Sequence, residues 1–331
     1  IKLGLFFYFK KIEVLNSENI PKTQPVLILG NHQNALLDAL IIATTNKRFA
    51  FFLTRASVFN NPVISDILKS LNMIPVFRIR DGWNNLTNNN AVFQSCAQLL
   101  KKNEAIAIFP EGNHNLKRMV RPLSKGFTRI VFDALDKNPD LNLQLVPVGL
   151  NYQKPEHFGD SVSVIYGNPK AVNQFISDNR NESVIKLKTT IFNDLTKLTT
   201  HIPSDNYAEN LKKLEELKVD FLKPNSVNHC IYTNFENCNS SKKKRLSILK
   251  VFFKILLILM LFVPYIIWKF AIQPKVKEKE FMSTFRFALA ITLVPVFIVI
   301  VMLVLSSIFT FKLACIYLFL VLLLELSAVK L

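Results

Sequence analysis

The stretch Val26-Leu27-Ile28-Leu29-Gly30-Asn31-His32-Gln33-Asn34-Ala35-Leu36-Leu37-Asp38 sets the reading of the fold. A short apolar run, residues 26–29, has the length of a strand. The residues from Asn34 onward open a helical pattern. The same alternation continues to about residue 167, with further strand-like runs at 49–53, 74–77, 106–109, 145–148 and 162–166. Between them, Val92, Cys96 and Leu99 form one helical stripe. Phe127, Ile130, Val131, Ala134 and Leu135 form another. Strands alternating with helices predict an α/β domain with a mostly parallel sheet flanked by helices.

Beyond residue 170 the strand pattern stops. Amphipathic stripes follow at Val184, Leu187, Ile191, Leu195 and Leu198, then at Leu211, Leu214, Leu217 and Phe221. Residues 223–241, rich in Asn and Ser, read as a linker into the basic cluster Lys242-Lys243-Lys244-Arg245. Apolar runs come next. Residues 251–268 contain Lys254 as their one charge, 287–311 contain none, and 313–329 contain only Glu325. Runs of this length predict C-terminal transmembrane helices at about 251–271, 286–306 and 308–329. The last two form a tight hairpin divided at Ser306-Ser307, with both ends on one side. The first is flanked by cations on both sides and either crosses or turns back near Pro264, a choice that the charge rule does not make.

The division is therefore 1–24 as an interfacial helix and lead-in, 25–170 as the catalytic domain, 171–245 as a helical extension and basic linker, and 246–331 as the membrane region. The chain is read as lacking its true start, because Ile stands first. The net charge is +17 and half the residues are hydrophobic, 28 of them Phe. Mean hydropathy is positive. Cations beside apolar helices point to a lipid bilayer and to a catalytic domain on the cytoplasmic side of a multi-pass integral membrane protein. No nucleic-acid recognition module accompanies the charge, so nucleic acid is not an expected partner. The four cysteines, Cys96, Cys230, Cys238 and Cys315, show no metal-ligand spacing, and no metal is expected. Cys230 and Cys238 are close enough in sequence to be bridged, but reduced thiols are the simpler expectation.

Three stretches carry chemistry. His32 follows a strand, where open α/β sheets place their sites. If Asn34 opens the helix, Asp38 lies about one turn in and can hold one imidazole nitrogen while the other accepts a proton. By itself such a pair is more often a local hydrogen-bonded arrangement. The second stretch is Phe109-Pro110-Glu111-Gly112-Asn113, again a strand running into a turn, where Gly112 permits close backbone approach. It reads equally as a surface turn. The third is Ile74-Pro75-Val76-Phe77-Arg78-Ile79-Arg80, whose alternation puts Arg78 and Arg80 on one side, a fork suited to phosphate or to a salt bridge.

The order NH…D, IPVFR, FPEG, then Val146-Pro147-Val148 resembles the four-block pattern of the glycerolipid acyltransferases, over about residues 1–169. The resemblance implies transfer of a fatty acyl group from acyl-CoA or acyl-carrier protein, as co-substrate, to glycerol 3-phosphate or dihydroxyacetone phosphate, with no cofactor. It implies His32 as base and Asp38 as its orienting carboxylate. Asn31, Arg78, Arg80, Glu111, Gly112 and Asn113 are the implied substrate-binding residues, Arg78 for the acceptor phosphate. Five residues separate His32 from Asp38 where four are common in the family, a spacing similar to the yeast-type glycerol-3-phosphate and dihydroxyacetone-phosphate branch. Phe77 and Asn113-His114 also depart from the common pattern. The alternatives are an acceptor such as 1-acylglycerol 3-phosphate or another lysolipid, and, in a different class, an inactive lipid-binding membrane protein.

Overall fold

The computed structural model describes residues 1–77, 88–240 and 247–331. The strands are β1 (Lys11–Leu15), β2 (Val26–Gly30), β3 (Ala50–Arg55), β4 (Met73–Val76), β5 (Ala105–Ile108), β6 (Gln144–Tyr152), β7 (Ser161–Tyr166) and β8 (Lys170–Ala171). They form one sheet in the order β1-β7-β6-β2-β5-β3-β4, with β8 beside β6. From β6 to β4 all neighbours are parallel. The strands β7 and β8 run antiparallel to β6, and β1 is parallel to β7.

β1 lies in the stretch read from sequence as a lead-in, and its residues are exposed or half-buried along their whole length. An edge strand of that kind carries no continuous apolar run to betray it. β8 likewise extends the sheet past residue 169.

Alternation sorts the central strand between two cores. Val26 and Ile28 join the cluster beneath α1 (Lys2–Tyr8) and α2 (Ala35–Thr45). Leu27 and Leu29 face the cluster under α4 (Asn88–Lys101), α5 (Gly126–Lys137) and α6 (Arg180–Leu198). The helix α3 (Pro62–Ser70) precedes β4. Burial on both faces leaves β2 no solvent side, so helices cover both faces of the sheet. Gly149 of β6 lets the end of α6 close onto the sheet, since a Cβ there would stand 2.1 Å from the Leu198 carbonyl oxygen.

α7 (Tyr207–Glu216) and α8 (Pro224–Tyr232) enclose a small core of their own. The segment read as a linker thus contains a helix, held by buried Val227 and Cys230 among its polar residues. Cys230 and Cys238 are joined in a disulfide, which corrects the expectation of reduced thiols for that pair. Cys96 is a free thiol that burial pushes up to about 12, so it remains protonated and inert.

In the C-terminal region, α9 (Ser247–Met260) and α10 (Phe262–Ile266) belong to an apolar pair bent by 100°, so no straight helix crosses here. α11 (Met282–Ile308) and α12 (Phe311–Lys330) are each long and apolar enough to cross a membrane. The hairpin turns at Phe309-Thr310 and not at Ser306-Ser307. The Ser307 hydroxyl donates to the Val304 carbonyl within the helix, which removes its cost there. The Thr310 hydroxyl accepts from the Leu313 amide and caps α12. At its other end α11 inserts Phe287 into the core shared with α1 and β2, so the apolar C-terminal helices and the sheet are packed together.

Candidate active site

β2, β5 and β6 point their carboxyl ends the same way, and the site forms there. β6 outruns β2, and Asn31 follows it. The Asn31 side chain donates to the Leu150 carbonyl at 3.0 Å and accepts from the Leu150 amide at 2.7 Å, extending the ladder with an amide group. Asn31 is therefore buried scaffold on the strand side of the site.

Past Asn31 the chain turns into α2, with Asn34 at the N-cap. Asp38 is fully buried. Its Oδ2 accepts from the Gln33 amide at 2.8 Å and the Asn34 amide at 2.7 Å, and lies 2.8 Å from His32 Nδ1. Its Oδ1 accepts the Tyr152 hydroxyl at 2.6 Å. Burial and the neighbouring Asp38 hold the Tyr152 phenol well above its ordinary value, so Tyr152 is a constant donor. Two amides, a phenol and an imidazole compensate a carboxylate that would otherwise be costly to bury. With Nδ1–H directed to Asp38, the neutral imidazole presents Nε2 as its basic nitrogen. Ala35, the first residue of α2, has a φ of +43°, rare for a residue with a Cβ, where the His32 loop turns into the helix that carries Asp38.

The opposite wall is the turn after β5. Phe109 lies flat against the His32 ring, with centroids 4.1 Å apart and planes 10° apart. Glu111 accepts from the His32 amide at 3.3 Å through Oε1 and from Arg121 Nε at 2.5 Å through Oε2. Burial raises the Glu111 pKa, and the Arg121 guanidinium pulls it back. Gly112 has φ +76° and nothing within 4 Å of where a Cβ would stand, so this glycine serves the turn's backbone and not a close approach. Asn113 faces Arg121, which donates to both its side-chain and its main-chain oxygen. Glu111 and Asn113 thus brace the His32 loop through Arg121. Arg78 and Arg80 lie outside the described residues.

Sequence reasoning missed Tyr152 and Arg121. Tyr152 is far along the chain, at the end of a strand whose apolar core alone was legible, and Arg121 lies in an irregular segment. His114, which departs from the common pattern, is only 14% exposed in its side chain. Its ring stands edge-on to His32 at 5.6 Å and to Phe281 at 4.6 Å. It also bonds Glu278 at 3.1 Å. Burial and the neighbouring His32 lower its pKa, while Glu278 raises it.

A histidine oriented by a buried carboxylate at the carboxyl end of a parallel strand is a proton-abstracting site. Residues 11–151 match the family model described as Acyltransferase. The matched residues include His32, Asp38 and Glu111. The chain is 33% identical over 82 residues to glycerol-3-phosphate O-acyltransferase 1 of Saccharomyces cerevisiae, covering 25% of this chain and 11% of that protein. It is 32% identical over 126 residues to 1-acyl-sn-glycerol-3-phosphate acyltransferase of Borreliella burgdorferi, covering 38% and 48%. The chain thus spans less than half the length of either relative. Among solved structures, the 1-acyl-sn-glycerophosphate (LPA) acyltransferase PlsC of Thermotoga maritima aligns at TM-score 0.41 and 19% identity, covering 59% of this chain and 78% of that one.

Proposed function

We propose that the chain is a membrane-bound O-acyltransferase that moves a fatty acyl group from acyl-CoA or acyl-carrier protein to glycerol 3-phosphate or dihydroxyacetone phosphate. The observation that carries the reading is the His32–Asp38–Tyr152 chain of hydrogen bonds, which leaves a basic Nε2 beside Phe109. In this reading Nε2 takes the proton of the acceptor hydroxyl. The oxygen attacks the thioester carbonyl, the C–S bond breaks, and the thiolate receives that proton from the imidazolium. Such general base assistance is typically worth roughly 10²–10⁴ in rate. No cofactor or metal is assigned a step. Arg78, with Arg80, is assigned the acceptor phosphate, on the strength of the resemblance and the guanidinium fork.

The first-step acceptors are favoured over 1-acylglycerol 3-phosphate by the five-residue His–Asp spacing, which resembles the yeast-type branch. Membranes expressing the chain, supplied with a labelled acyl thioester, are offered glycerol 3-phosphate, dihydroxyacetone phosphate and 1-acylglycerol 3-phosphate in turn. Labelled product from either of the first two is expected. Acylation of the third alone would replace this acceptor assignment.

We place the catalytic domain on the cytoplasmic side, since cations flank the apolar helices. The Cys230–Cys238 disulfide weighs the other way, because such bonds persist in oxidising compartments.

A further inference from the structure

A second recess, of about 470 Å³, lies where the bent α9–α10 pair meets α11, α12 and the turn after β6. Part of its wall is apolar, with Leu257, Leu261 and Val294. Its charged rim is formed by Lys254, Lys269 and Arg286, with the carboxylates of Glu156 and Glu325. The volume falls within the roughly 300–1,000 Å³ usual for small-molecule pockets. An apolar wall under a cationic rim, set between candidate membrane helices, has the polarity of one phospholipid with its headgroup at the catalytic-domain end.

We propose that this recess binds an anionic glycerophospholipid of the bilayer. Its phosphate is held by Arg286, Lys254 and Lys269, and its hydrocarbon lies along Leu257, Leu261 and Val294. Three features of the recess support this. Arg286 is fixed in advance, donating to the Glu156 carbonyl at 2.8 Å and standing 4.9 Å over the Trp268 ring, so little ordering remains on binding. The cations Lys254, Lys269 and Arg286 outnumber the carboxylates Glu156 and Glu325 in the lining, so the rim keeps a net positive charge. The recess shares none of its lining with the catalytic residues, since His32, Asp38 and Glu111 are not part of it. Its lipid binding therefore does not rest on the proposed reaction.

The recess nevertheless touches the site's scaffold. The Pro155 carbonyl, adjacent to rim residue Glu156, accepts both from Asn34 at the start of α2 and from Ser283 at the base of α11. A lipid seated on this rim would steady the turn that holds the α2 N-terminus.

The test uses the full chain in nanodiscs of phosphatidylcholine with and without phosphatidylglycerol, and bound lipid is read by native mass spectrometry. Wild type should retain phosphatidylglycerol in preference to phosphatidylcholine. Arg286→Gln with Lys254→Gln should lower that retention by about thirtyfold, at the attraction usual for two basic residues near a membrane surface. Leu257→Trp, which fills the recess, should do the same, whereas Arg286→Lys with Lys254→Arg should restore it. His32→Ala should retain lipid like wild type, which separates failure here from failure of the proposed reaction. Equal retention of both lipids by wild type, or undiminished phosphatidylglycerol in the Gln or Trp variants, would overturn the proposal.

Discussion

At the scale of single residues, the site depends on how a buried Asp38 is kept useful. Four donors surround it, and one of them is the His32 imidazole. Tyr152→Phe removes the donor to Oδ1 while leaving the aromatic packing. We expect a stability loss of about 2 kcal/mol, the usual size for a hydrogen bond to a charged group. A fall in kcat of about tenfold should accompany it as Asp38 swings away from Nδ1. Thermal unfolding and steady-state turnover of the variant check both, and an unchanged kcat would reduce Tyr152 to a packing residue. His32 and Asp38 were legible because strand, loop and helix start are written in consecutive residues. Tyr152 was not, since it reaches Asp38 from another strand 114 positions on, and nothing local marks it. The brace by Arg121 was hidden for the same reason. Glu111 and Asn113 were legible as a motif, but the guanidinium they share lies in a segment without periodicity.

Among the elements, the central parallel strands were read from continuous apolar runs, because burial on both faces demands them. β1 escaped because Lys11-Ile12-Glu13-Val14-Leu15 is an edge with neither face deeply buried, and α8 because its apolar residues are diluted by Asn and Ser. The turn joining β6 and β7 carries a pH-dependent element. Asp160 accepts from the Lys154 amide, and burial raises its carboxyl from 3.8 to about 6. A carboxyl raised on folding favours the native state while it is protonated. Its contribution is full below pH 3.8 and is lost as pH rises through about 6. The difference corresponds to about 3 kcal/mol between those limits. Asp160→Asn should remove this fall, so that the variant gains stability relative to wild type as pH rises from 4 to 6. Denaturant midpoints across that window are the measurement, and parallel pH profiles for the two proteins would count against the assignment.

For the whole molecule, the hairpin of α11 and α12 and the insertion of Phe287 into the sheet's core imply one orientation. The Phe309-Thr310 turn should face the side opposite the catalytic domain. In a Cys315→Ser background, Thr310→Cys should react with a membrane-impermeant thiol reagent only from that opposite side, and labelling from the catalytic side would refute the hairpin crossing. The apolar runs made the C-terminal helices legible, and a turn back near Pro264 was one of two courses left open for the first run; the 100° bend at Leu261 lies three residues before it, a place that hydropathy does not mark. In the proposed reaction, turnover rests finally on one imidazole. The decisive comparison is acyl transfer from a labelled thioester to glycerol 3-phosphate by wild type and His32→Ala in membranes, with matched expression and unfolding temperature. General base catalysis at His32 predicts a loss of about 10²-fold or more. Full activity in the variant would contradict it.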